Sequence, residues 1–368
     1  MIDHKIQIVI FSNYFYPALK AGGPVKSLYL LKKKLNSNFD IKIFTSAYDI
    51  DRKEVQQQKK NFIIVKNFFS LIKGLLILFS DRHSQILYFN SFFSFKFTII
   101  PLILAKIFFK KKIIISPRGE LFNSEVEKKK IKKNLYLFFF KSFLKKNIYF
   151  HVTSLLEKKT IKKLFPNNKI EIVENLSIKS DFNLKKKKFE KNKIKFVYLS
   201  RITKKKNLHL AIDLLSNINN NVELDIYGNI EDNAYWINIE KLILQKSSER
   251  FKINYKGFAN KRINKILENY NFFILLSDSE NFGHVILEAM MAGCIPVVSK
   301  NLPWQDIYKK KCGFVIDIKN INHKIFADFI NSFDKNKFRR YLKNLKTYCN
   351  NFFNKQKKIN YLSFFYNK

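Results

Sequence analysis

The sequence predicts an α/β chain built from two doubly wound, parallel-sheet domains. Three observations carry that reading. Short apolar runs alternate with longer amphipathic segments along almost the whole chain, the rhythm of parallel strands covered on both faces by helices. At 368 residues the chain is too long for one ordinary core. A polar, lysine-rich stretch at 179–193, containing KKKKFEKNKIK, separates two halves with the same rhythm and reads as an interdomain linker.

In the first half, the expected strands are Ile6–Phe11, Ile41–Thr45, Phe62–Val65, Ile86–Phe89, Lys112–Ser116, Ile148–Val152 and Ile170–Val173. In the second half they are Ile194–Leu199, Val222–Tyr227, Ile253–Lys256, Phe272–Leu276, Ile295–Ser299 and Gly313–Ile316. The resulting division is 1–178 for the first domain, 179–193 for the linker and 194–352 for the second domain. A terminal helix over 353–368, with its aromatic anchors, is expected to pack back on the first domain. In open α/β sheets, ligands sit beyond the carboxyl ends of the strands, so motifs at those ends carry the most weight.

Lys and Arg total 69 against 29 acids, a formal net charge of +40. The excess is spread almost evenly over the two halves, which points to compositional bias more than to one binding face. One stretch stands out. Lys96–Lys146 interleaves basic residues with Phe108, Phe109, Phe138, Phe139, Phe140 and Phe143, a pattern compatible with an anionic membrane surface. The longest apolar run, Phe97–Phe109, contains Pro101 and Lys106 and falls short of the roughly 20 residues a spanning helix needs. It reads as a core or interfacial helix. Cys294, Cys312 and Cys349 have no metal-ligand spacing and suit a reducing cytosol. No signal peptide is evident at the start, so the expected location is cytoplasmic, peripheral to the inner face of a membrane.

The richest stretch is SDSENFGHVILEAMMAGCIPVVS, Ser277–Ser299. Glu280 falls in a strand-to-helix turn. Asn281, Phe282 and Gly283 then offer backbone N–H groups at a helix start, an arrangement suited to a diphosphate. Glu288 follows on the helix, roughly 12 Å along it from Glu280. Carboxylates that far apart do not share a proton or chelate one ion. They suit hydroxyls at opposite ends of an extended ligand such as a nucleoside-diphosphate sugar. In YLSRITKKKNLHLAI, Arg201 and Lys206 follow another strand, where cations would neutralise charge on a leaving diphosphate. Gly22 and Gly23, between the first strand and its helix, would let backbone approach phosphate. Ser154 with Glu157 reads as a capping box. Asp49-Ile50-Asp51 mimics a metal-binding Asp-x-Asp but sits beside Arg52 and Lys53, and reads as a surface turn.

Together these motifs resemble glycosyltransferase family 4, the retaining GT-B transferases of group 1. The resemblance is firm over 194–316. It rests on Ser200-Arg201 with Lys206-Asn207, Asp225-Ile226-Tyr227-Gly228, Lys256-Gly257-Phe258, Glu280-Asn281-Phe282-Gly283, Glu288-Ala289 and Gly293-Cys294-Ile295-Pro296. It implies a GT-B fold, two Rossmann-like domains facing a central cleft, and retaining, metal-independent transfer without a cofactor. It implies that Glu280 touches the donor sugar and Glu288 the nucleotide ribose, with Arg201 and Lys206 on the diphosphate. It places Gly228, Gly257 and Phe258 beside the donor. In the first half, SPRGEL puts Arg118 and Glu120 on the acceptor side. The implied partners are a nucleotide-sugar donor and a glycan or lipid-linked acceptor of cell-surface polysaccharide assembly, and no nucleic acid. A family histidine near the donor sugar has no clear counterpart; Asn90 or Arg118 occupies that neighbourhood, and His151 and His284 read as packing or cap residues. Two other readings stay open: a basic protein binding anionic lipid or nucleic acid without transferring anything, and another GT-B enzyme such as a sugar-nucleotide epimerase or a phosphorylase.

Overall fold

The computed structural model describes residues 5–366 apart from 57–60, 81–83, 109–110, 123–125, 128–129, 180–181, 183–186 and 260–262. Phe109, Lys128 and Lys129 of the basic–aromatic stretch lie outside the described residues. The chain forms two compact units, Met1–Ser177 with Lys358–Lys368, and Ile178–Lys357.

The first unit holds seven strands: β1 Gln7–Ser12, β2 Asp40–Ser46, β3 Phe62–Val65, β4 Ser84–Phe89, β5 Lys112–Ile115, β6 Ile148–Val152 and β7 Lys169–Ile172. They lie in the order β3-β2-β1-β4-β5-β6-β7, every pair parallel. β1 is buried along its whole length, as an unbroken apolar strand in a two-sided parallel sheet must be. The strand period of two divides its side chains between two cores. Val9 and Phe11 join the core under the helices Phe68–Ser80, Ile100–Phe108, Lys130–Phe139 and Leu155–Leu164, where Phe11 stacks on Phe89 with ring centroids 4.7 Å apart. Ile8 and Ile10 join the opposite core, closed by the helix Gly23–Leu35 and by Tyr361, Phe364 and Phe365 of the chain's end. The run around Phe97 is a π turn, Phe95–Ile99, leading into the helix Ile100–Phe108. Among the described residues, no helix is long and apolar enough to cross a membrane.

The second unit holds β8 Ile194–Leu199, β9 Val222–Tyr227, β10 Phe251–Tyr255, β11 Phe272–Leu275, β12 Ile295–Ser299 and β13 Phe314–Ile316. Their order is β10-β9-β8-β11-β12-β13, again all parallel. Counted within the unit this is 3-2-1-4-5-6, so the direction of winding reverses between β8 and β11. Loops leaving those two strands diverge to opposite faces and open a crevice at their carboxyl ends.

The segment expected as a linker differs from its reading, and the terminal segment packs back on the first unit as expected, but only from Lys358 onward. Within 179–193, Phe189 is buried in the second unit's core, stacked on Phe338 at 4.8 Å. Lys187 turns its ammonium onto the carbonyls of Leu267 and Tyr270, at 3.0 and 2.5 Å. One aromatic and one lysine seated on carbonyls fix residues 187–189, whose composition reads as solvated. At the other end, the helix Lys335–Lys357 buries Phe338, Leu342, Leu345, Cys349 and Phe353 on one face. The spacing of these residues by threes and fours keeps that face on the second unit through Phe353. The crossing back to the first unit therefore comes after Lys357, and Lys112 then holds the carbonyls of Phe364 and Phe365 at 3.1 and 3.2 Å.

Candidate functional site

In the first unit, a polar network gathers beyond β4, β5 and β6. Arg118 sits in a left-handed conformation (φ 55°) followed by Gly119 at φ 81°. That turn swings the guanidinium inward. Its Nε donates to Asn90 Oδ1 at 2.7 Å, and its two terminal nitrogens donate to Asn175 Oδ1 at 2.6 Å and the Tyr88 hydroxyl at 3.1 Å. Buried Glu157 pins the turn, accepting from the Gly119 N–H at 2.7 Å and the Thr153 N–H at 2.8 Å. Ser154 caps the helix through the Glu157 N–H, as expected. The carboxylate, however, does not complete a capping box; it ties the β5 loop to the β6 loop.

The Tyr88 hydroxyl lies 2.7 Å from His151 Nδ1, and the other ring nitrogen lies 2.9 Å from the Val173 carbonyl. Burial, helped by the nearby Arg118 charge, pushes the His151 pKa down to about 3. A histidine whose folded pKa is depressed gives stability that is complete above its unfolded pKa, near 6.5, and lost as pH falls toward 3. Acidification from pH 7 to pH 5 is expected to cost about 2 kcal/mol through this residue. Denaturant unfolding of wild type and His151→Gln at both pH values checks this: the variant should lose markedly less between them. Equal losses would mean that His151 titrates normally.

In the second unit, the loop leaving β8 forms a single 3-10 turn, Lys204–Lys206, ended by Asn207 in the left-handed region (φ 49°). Asn tolerates that conformation better than most residues. Its side-chain amide donates to the Leu276 carbonyl at 2.9 Å and to Asp278 Oδ1 at 2.7 Å. The Asp278 N–H donates to the Lys205 carbonyl at 3.0 Å, and the Ser299 hydroxyl holds the Ser277 carbonyl. These bonds stitch the β8 loop onto the β11 loop at the reversal point of the sheet. As a result Lys206, though a lysine, is buried, and its ammonium pairs with Glu280 Oε1. Arg201 lies closer to β8 and forks its Nη1 onto both oxygens of Glu231, at 3.1 and 3.0 Å.

The loop after β9 passes very close. A Cβ on Gly228 would stand 1.8 Å from the Ser200 carbonyl oxygen. The Gly228 N–H donates to the Gly257 carbonyl at 2.9 Å, and its carbonyl accepts from the Tyr255 hydroxyl at 2.9 Å. Loops from β8, β9 and β10 thus converge on one glycine. After β11, Gly283 (φ 76°) precedes the helix His284–Met291. Glu288 lies buried on that helix.

Residues 179–351 match the family model described as glycosyl transferases group 1. Over those residues the second unit is similar to the group 1 glycosyl transferases. No curated protein matches the chain by sequence. Solved structures match nearly all of it. The Anabaena protein Alr3699/HepE, in complex with UDP and glucose, superposes with a TM-score of 0.69 at 16% identity, covering 94% of this chain and 95% of that one. WaaG, a glycosyltransferase involved in lipopolysaccharide biosynthesis, gives 0.65 at 10% identity, with 94% and 95% covered. A glycosyltransferase from Rickettsia africae gives 0.62 at 14% identity, with 97% and 100% covered. The two parallel-sheet units are those of the GT-B fold.

In the second unit the geometry brings Lys206 and Glu280 into direct contact and sets Arg201 on the same β8 loop. Phe282 points its ring into the core, 5.3 Å from Trp304, whose indole N–H takes the Phe282 carbonyl at 2.6 Å. Asn281 is partly exposed, and Phe258 and Gly257 close the β10 loop. In the first unit, Gly22 opens the helix Gly23–Leu35 at φ 82° with open space where a Cβ would be. Arg118 was expected to address an acceptor, but three of its nitrogens are engaged within the fold. Glu120 likewise accepts the N–H groups of Phe92 and Phe93 on one oxygen, at 2.7 and 2.9 Å. Its first role is to fix the β4 loop. Asp51 pairs with Lys20 at 2.6 Å, and Asp49 accepts the Lys20 N–H at 3.1 Å, so both tie the β2 loop to the β1 loop.

Sequence reasoning missed two residues. Glu231 orients Arg201 from the β9 loop. Asn207 makes the junction that buries Lys206; its signal was an asparagine between a lysine run and an apolar helix, where a left-handed residue is needed.

Proposed function

We propose that the chain is a retaining glycosyltransferase that moves a sugar from a nucleoside-diphosphate sugar to a hydroxyl of a glycan or glycolipid acceptor in cell-surface polysaccharide assembly. The observation that carries this is the Lys206–Glu280 pair at the reversal point of the second sheet, with Arg201 beside it. The sugar's C1–O bond breaks and its electron pair leaves on the diphosphate, where Lys206 and Arg201 offset the growing charge. Glu280 holds a hydroxyl of the sugar, and Glu288 the ribose. The acceptor oxygen bonds to C1 and its proton passes to the departing diphosphate oxygen. Arg201 is exposed, and an exposed pair such as Arg201–Glu231 is worth only about 0–1 kcal/mol. A diphosphate with more charge therefore competes well for its remaining donors. Retention rests on the resemblance of the Glu280–Glu288 element to retaining transferases.

Because UDP or UDP-glucose occupies HepE, that donor heads the test. Calorimetric titration with UDP, GDP, ADP and their sugar forms should find one base bound in preference to the others. Transfer should persist in EDTA, since on this reading Lys206 and Arg201 supply the countercharge to the diphosphate. Activity lost to EDTA and restored by magnesium or manganese would overturn the metal-independent mechanism. Failure of every nucleotide to bind would overturn the transferase reading itself.

A further inference from the structure

We propose that the outer side of the helical layer in the first unit is a docking surface for an anionic lipid bilayer, with apolar side chains entering the acyl boundary and lysines meeting the headgroups.

The helix Lys130–Phe139, continued by the turn Phe140–Leu144, is apolar on two opposite faces. Leu137, Phe140 and Leu144 face inward and are buried in the core above β5 and β6. On the other side, Ile131, Leu135 and Phe138 recur at spacings of four and three, one stripe of a helix. They are 85%, 70% and 71% exposed. Folding therefore explains the inner stripe and leaves the outer one in water. The surface is wider than this helix. Lys106 donates to the Lys146 carbonyl, which sets the end of the helix Ile100–Phe108, with its exposed Ile107 and Phe108, beside the first. On the same layer, the helix Phe68–Ser80 exposes Phe69 and Leu76. Large apolar side chains exposed together on helices of one layer mark an interaction site.

Charge selects the occupant. Lys130, Lys132, Lys145 and Lys146 are exposed around the stripe, and among the described residues none has a carboxylate within ion-pair distance. A second copy of the chain would bring like charges together around its own stripe. A nucleic acid would take the lysines and leave Leu135 and Phe138 in water. An anionic bilayer takes both, as interfacial amphipathic helices do.

Flotation with vesicles tests this, using phosphatidylcholine alone and phosphatidylcholine mixed with phosphatidylglycerol. The wild-type chain should float with the mixed vesicles and far less with phosphatidylcholine alone. Leu135→Asp with Phe138→Asp should weaken binding about tenfold or more. Lys132→Gln with Lys145→Gln and Lys146→Gln should weaken it comparably, at about fivefold per lysine that contacts the surface. All five side chains are exposed, so circular dichroism and thermal melting should match wild type. Three outcomes would overturn the proposal. The wild-type chain could fail to float with mixed vesicles. The double aspartate variant could float as wild type does, leaving only adsorption of charge. Or ultracentrifugation could show a dimer that this variant splits, giving the face to a second copy.

Discussion

Glu280→Gln should reduce transfer by about a hundredfold or more at saturating donor, while binding of the bare nucleoside diphosphate stays within about twofold of wild type. Gln is the informative change because Glu280 pairs with buried Lys206. An alanine would leave that ammonium without its partner, adding a folding cost that confuses the assay. The amide keeps a hydrogen-bond acceptor for Lys206 and removes the charge. The nucleoside diphosphate has no sugar, so it does not register the loss; transfer does, because the amide lacks the carboxylate's negative charge as the sugar's anomeric carbon becomes positive. Glu288→Ala should show the opposite emphasis, losing about 1–3 kcal/mol of nucleoside-diphosphate affinity through one buried acceptor. Calorimetry on both variants, paired with turnover at saturating donor, decides the matter. Equal loss of nucleotide affinity in both would mean that the carboxylates do not grip different ends of one ligand.

The strands were legible because the central strands of a parallel sheet, buried on both faces, are nearly continuous apolar runs, and even the edge strands β7 and β10 keep apolar residues at alternate positions. Every strand expected from a short apolar run, from Ile6–Phe11 to Gly313–Ile316, exists within a residue or two of its bounds. The linker was not legible, since composition averages over a window while packing acts on single side chains. Phe189 and Lys187 sit among lysines whose pattern gives no period, yet each meets one specific partner. The end of the last domain failed for a related reason. The aromatics of NFFNKQKKINYLSFFYNK serve two cores, Phe353 the second unit and Phe364 with Phe365 the first, and sequence alone does not assign an aromatic to one core or another.

For the site, chemistry at strand ends was readable and geometry was not. Glu280 and Lys206 stood out as charges after strands, but 74 positions separate them, and their contact depends on β8 and β11 being neighbours in the sheet. Arg118 and Glu120 were equally conspicuous. Their engagement with Asn90, Asn175 and the Phe92 and Phe93 amides follows from the left-handed turn at Arg118, which nothing in SPRGEL announces.

Gly228→Ala should be the most damaging single-methyl change in the second unit. Its Cβ would stand 1.8 Å from the Ser200 carbonyl oxygen, a backbone atom that no rotamer change can move aside. Ser200 in turn is held by its N–H to the Tyr227 carbonyl at 3.0 Å. Relief therefore requires the β8 and β9 loops to separate, which carries Arg201 and Glu231 apart. Overpacking of this kind costs about 1–3 kcal/mol, and the positive φ of Gly228 adds about 1 kcal/mol more for a residue with a side chain. Gly257→Ala provides the control. It shares a positive φ, 73°, but its Cβ would meet nothing within 4 Å, so only the conformational penalty of about 1 kcal/mol applies. Denaturant unfolding should place Gly228→Ala well below Gly257→Ala in stability, and calorimetry should show the larger loss of nucleoside-diphosphate affinity in the same variant. Equal stabilities would mean that the β8 and β9 loops part easily, and that their close approach at Gly228 does not hold Arg201 in place.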